Sequence, residues 1–99
     1  MSQRSTRLYW DLVADRLETD ASGTLLRRGQ VQLEQWRRAR PGAASERYWA
    51  QWDTLIAQGV RVVVTALRGT SEESDTLRSC APFLGVVTNQ ERWNLLREH

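Results

Sequence analysis

The sequence predicts an all-α fold, a compact bundle of five or six short helices in a single domain covering residues 1–99. Three observations carry this reading. Apolar residues recur at i, i+3, i+4 and i+7, the spacing of one helix face, in segment after segment. Chain breakers fall between those segments, at Gly23, Pro41-Gly42, Gly59, Gly69 and Pro82, with Gly29 alone inside one. Two stretches, Thr70–Glu73 and Thr88–Glu91, have the form of capping boxes that open helices.

The first helix is expected from about Thr6 to Glu18. Leu8, Tyr9, Leu12, Val13 and Leu17 share a face, and Asp11, Asp15 and Glu18 lie opposite as a solvated surface. With Trp10 and Ala14 the apolar arc spans roughly two-thirds of the circumference, where a surface helix needs about a third. The excess predicts either a central helix or one half-covered by a partner, and the partner is the preferred reading. The second helix, Thr24 to Ala39, carries Leu25, Leu26, Gly29, Leu33 and Trp36 within a narrow arc and stops at Arg40-Pro41-Gly42. A glycine on the apolar face lowers helix propensity by ~1 kcal/mol, so Gly29 predicts the close approach of a neighbouring backbone.

The third helix opens at Ser45 as N-cap, presents Tyr48, Trp49, Trp52, Leu55 and Ile56 as one stripe, and ends at Gly59. Val60–Leu67 is β-branched and would suit a strand. Val60, Val63, Val64 and Leu67 nevertheless fall at helical spacing, and no second segment reads as a β partner, so a helix is predicted. Thr70-Ser71-Glu72-Glu73 is expected to open a short helix ending near Cys80. Thr88-Asn89-Gln90-Glu91 is expected to open the last helix, with Trp93 and Leu96 inward.

Composition narrows the function classes. The chain has 99 residues, 40% hydrophobic and 26% charged, and a formal net charge of +2. One cysteine, Cys80, leaves no intrachain disulfide and no cysteine-based zinc site. No apolar run approaches the roughly 20 residues of a membrane span, and the first residues lack the apolar core of a signal peptide. A cytoplasmic protein with no membrane association is expected. All 14 basic residues are arginine, which suits either a GC-rich genome or a preference for planar, five-donor contacts.

Catalytic chemistry finds little to use. The single histidine is His99, so a serine, threonine or cysteine nucleophile has no histidine base within the fold. No glycine-rich phosphate loop is present, and no catalytic residue, metal site or cofactor is predicted. Arg92 and His99, separated by six residues on the last helix, are similar in spacing to the arginine–histidine pair of the HEPN ribonucleases, themselves small helical bundles. That resemblance implies ribonuclease activity, although Trp93 stands where those enzymes carry a polar residue.

Two surface features point to binding. Between Arg27 and Arg47 six arginines face two acids, Glu34 and Glu46, a local excess that would suit phosphates. Arg37, Arg38 and Arg40 also sit at a helix C-terminus, where cations are stabilised without any ligand. Trp36, Trp49, Trp52 and Trp93 lie on helix stripes and are assigned to the core, whereas Trp10 lies at the edge of its arc. Exposed tryptophan and arginine are the residues enriched at protein–protein hot spots.

The stretch Ala81-Pro82-Phe83-Leu84-Gly85-Val86-Val87-Thr88-Asn89-Gln90-Glu91-Arg92-Trp93 resembles the C-terminal part of small bacterial helical proteins that carry no assigned activity. The resemblance spans about a third of the chain and implies a helical fold and a regulatory setting; Ala81 stands where a serine is usual. Taken together, the sequence predicts a bacterial protein–protein interaction module of antitoxin, adaptor or inhibitor type. Its partner would be another protein or a second copy of itself, contacted by Tyr9 and Trp10 with Arg37, Arg38 and Arg40. A nucleic-acid-binding protein using the arginine-rich face is the alternative, and a HEPN-like ribonuclease the third.

Overall fold

In the computed structural model, which describes residues 3–83 and 85–98, helices follow one another with short joints. They are α1 (Gln3–Thr19), α2 (Thr24–Ala39), α3 (Glu46–Gln58), α4 (Val60–Leu67), α5 (Glu72–Ser79) and α6 (Asn89–Glu98). No strand occurs among the described residues, and the fold is an all-α bundle of short helices.

The valine-rich segment is the centre of the bundle. α4 packs against α1, α3 and α5, and Val63, Val64 and Leu67 are all buried. Burying such side chains contributes about 1.5–3 kcal/mol each. That outweighs the ~0.7 kcal/mol or less by which valine falls short of alanine in helix propensity. Periodicity therefore prevails over β propensity here. Gly59 alone separates α4 from α3, at φ +111°, a value that disfavours any residue with a Cβ.

The wide apolar arc of α1 is explained within the chain. Val13, Ala14 and Leu17 are buried, because α1 packs on α4 along one side and on α6 along another. The expectation that a partner covers Val13 and Leu17 is thereby corrected. Two helices flank α1, so an arc broader than one stripe is needed to meet both. Its acidic face is also used: Asp15 and Glu18 both pair with Arg68, the Glu18 contact at 3.0 Å.

α2 rests on α3. Trp36 and Trp49 meet at 6.0 Å between ring centroids, and Arg37 pairs with Glu46 at 2.8 Å and Asp53 at 3.5 Å. Gly29 is buried, as close approach requires, but its neighbour is mainly an aromatic ring. A Cβ there would lie 2.6 Å from Cε1 of Phe83 and 3.3 Å from the Pro82 carbonyl oxygen. The start of α2 is tied by Asp20, whose carboxylate accepts the Leu25 N–H at 2.8 Å and the Ser22 hydroxyl at 2.7 Å. The Leu25 bond first, then Ser22, holds this carboxyl below its ordinary pKa.

Two of the expected caps differ in detail. Ser45 stands at the N-cap of α3 but makes no side-chain cap, because its backbone is already αR and its carbonyl accepts the Trp49 N–H at 3.0 Å. The box expected at Thr70 is displaced by one residue. Ser71, with extended backbone, caps α5 by accepting the Ser74 N–H at 3.1 Å. That register leaves Glu72, Glu73 and Asp75 together in the first turn, where the helix dipole favours them. The box at Thr88 forms as expected: the Thr88 hydroxyl accepts the Glu91 N–H at 3.2 Å, and Glu91 accepts the Thr88 N–H at 3.1 Å.

The motif-like stretch is a strap across the core. Ala81, Pro82, Phe83, Val86 and Val87 are buried, and Phe83 meets Trp52 edge-on at 5.5 Å. Arg16 of α1 closes the strap, donating to the Val86 carbonyl at 2.9 Å and pairing with Glu91. Leu84, part of the stretch, lies outside the described residues.

Candidate protein-binding surface

The Arg16–Glu91 pair decides which way α6 faces. Glu91, held by α1, and Leu95, half-buried, lie four residues apart on its inner side. At about 100° per residue, Trp93 stands roughly 200° from Glu91. The ring expected in the core is accordingly 63% exposed, one of two large apolar side chains in that state, with Val31, among the described residues. The side chain of Leu96, also expected inward, lies outside the described residues.

Arg92, one position earlier, turns toward α1. Its guanidinium lies over the Tyr9 ring, 5.2 Å from the centroid. Tyr9 in turn meets Trp10 edge-on at 4.9 Å. Both rings are half-buried and pack against the edge of the core. Trp10, Tyr9 and Arg92 thus form a continuous row across the α1–α6 edge, with Trp93 following Arg92 in the chain.

The other predicted contact residues lie elsewhere. Arg37 is bound to Glu46 and Asp53 and joins α2 to α3. Arg38 and Arg40 are exposed near the end of α2. Among the described residues, no hydrogen bond, ion pair or aromatic contact joins Tyr9 or Trp10 to Arg37, Arg38 or Arg40. The arginine that does accompany the aromatic pair is Arg92. A sequence signal for it existed: once Glu91 is committed inward by its capping box and an α1 arginine, the phase of α6 sends Arg92 sideways and Trp93 out.

For the ribonuclease resemblance, Arg92 is stacked on Tyr9 and its neighbour Trp93 is exposed, while His99 lies outside the described residues. No group of three or more potential metal ligands occurs among the described residues. No helix among them is long and apolar enough to cross a membrane. Comparison with known protein families, with characterised proteins and with solved structures finds no match to this chain.

Proposed function

We propose that the protein is a small bacterial, cytoplasmic interaction module that acts by binding another protein through the α1–α6 edge. The observation that carries this reading is Trp93, 63% exposed beside an arginine already stacked on an aromatic pair. Exposing a tryptophan to water forgoes the burial that makes it valuable in a core. Tryptophan, tyrosine and arginine are also the side chains over-represented where interface energy concentrates. Antitoxins, adaptors and inhibitors act in this way, by occupying a partner's surface.

A photo-crosslinking residue placed at position 93 in cells that make the protein tests the reading. The expected result is a discrete protein adduct, lost when Arg92→Ala and Tyr9→Ala remove the row beside it. A crosslinker at exposed Glu34 on α2 should give no such band. Adducts only to nucleic acid, or equal labelling from both positions, would overturn the reading.

The second reading, nucleic-acid binding, draws on α2. Arg28, Arg38 and Arg40 are exposed and in no ion pair among the described residues. Arg37, committed to Glu46 and Asp53, is withdrawn from that face, and exposed Glu34 interrupts it. A phosphate-binding stripe needs several free cations in register, and the α1–α6 edge is the better supported surface.

A further inference from the structure

α3 and α5 diverge to leave an open groove of about 970 Å³, in the size range of binding clefts. Its floor is apolar: Leu55, Ala66 and Leu77 line it and are each only partly buried. One wall is acidic, with Glu72 and Glu73 of α5 exposed and in no ion pair among the described residues. The other ends in Arg47, which is stacked 4.7 Å over the Tyr48 ring and donates to its hydroxyl at 2.6 Å. None of the residues lining the groove belongs to α6.

α6 carries the complementary shape and charge. Trp93 projects from it, and Arg92 and Arg97 are both exposed on the same helix. An aromatic knob with basic flanks matches an apolar floor with an acidic rim. We propose that the partner of the α1–α6 edge is a second copy of this chain, whose α3–α5 groove receives Trp93 with Arg97 directed at Glu72 and Glu73. This rests on the protein-binding reading above and names its occupant. Arg47 fixes the orientation, since the basic flank avoids the α3 wall and turns toward α5. Knob and groove are different surfaces, so each contact pairs α6 of one copy with the α3–α5 groove of another. Made reciprocally, two such contacts close a two-fold dimer; passed on head-to-tail, the same contact gives a ring or filament.

Sedimentation velocity on the purified full-length chain over a wide concentration range tests this. The expected result is self-association, to dimer or beyond, with rising concentration, weakened by salt because part of the contact is ionic. Trp93→Ala and Glu73→Arg should each abolish it, and both sites are exposed, so neither change disturbs the core. The two variants mixed should form a one-to-one dimer and nothing larger, because the intact groove of the first accepts the intact Trp93 of the second. Pairing Glu73→Arg with Arg97→Glu in one chain should restore at least tenfold of the lost affinity. A mixture that stays monomeric overturns the proposal. A wild-type monomer at all concentrations also overturns it. If position 93 then still crosslinks a different protein, the protein-binding reading survives without self-assembly; if it crosslinks none, both fall.

Discussion

Trp52→Ala should lower the free energy of unfolding by about 3–5 kcal/mol, the range for deleting a fully buried large side chain. Trp52 is 0% exposed at the middle of α3. Two separate contacts converge on it. Its ring meets Phe83 of the strap edge-on at 5.5 Å, a geometry that contributes beyond the area buried. Its indole N–H donates to the Leu77 carbonyl at 2.8 Å, so truncation also leaves that acceptor without its partner. α5 buries none of its own residues and depends on such ties. Besides the Trp52 bond it has Arg78, which donates to the Leu67 carbonyl at 3.2 Å and to that of Gly69. Urea denaturation measures the loss, and hydrogen exchange should show α5 opening first in the variant. A midpoint within experimental error of wild type would mean that the α3 stripe is not the core.

Gly29→Ala should destabilise the protein by up to about 2 kcal/mol, against the direction that helix propensity alone predicts. Alanine in place of glycine within a helix favours folding by ~1 kcal/mol. The new methyl, however, would lie 2.6 Å from Phe83 Cε1 and 2.8 Å from Cδ1. Phe83 is 2% exposed and packed on Trp52, so its ring has no open side to move into. Overpacking a full core costs about 1–3 kcal/mol, and the Pro82 carbonyl at 3.3 Å limits movement of the backbone as well. The same substitution made together with Phe83→Leu should recover most of the lost stability, a coupling that a double-mutant cycle reads directly. A net gain for Gly29→Ala alone would show that the strap yields easily.

Much of this architecture was legible in the sequence because helical periodicity, glycine breaks and caps agreed with one another. α2 spans Thr24–Ala39 as its spacing indicates, and the Val60–Leu67 helix follows from phase alone. Where the reading went astray, the missing information was tertiary. The breadth of the α1 arc reports how many neighbours the helix has, and periodicity cannot distinguish a second helix of the same chain from a partner. The stripe that Trp93 shares with Leu96 points it inward on spacing alone. The Arg16–Glu91 pair, 75 residues apart, rotates α6 so that it points out. The ion pairs of Arg37 are not legible in the sequence, because Glu46 and Asp53 are brought to it only by the packing of α2 on α3. The motif at residues 81–93 is accounted for by burial and capping, and most of it needs no ligand to explain its residues.

The tryptophans divide by burial: Trp36, Trp49 and Trp52 pack within the bundle, and Trp93, 63% exposed, is the one proposed to meet a partner. Urea denaturation of Trp93→Ala at a protein concentration low enough to keep the chain monomeric tests this most directly. The account predicts an unfolding free energy within about 0.5 kcal/mol of wild type, the usual range for a surface substitution. A loss approaching the ~3 kcal/mol lower bound expected for a buried tryptophan would contradict it, and would return Trp93 to the core.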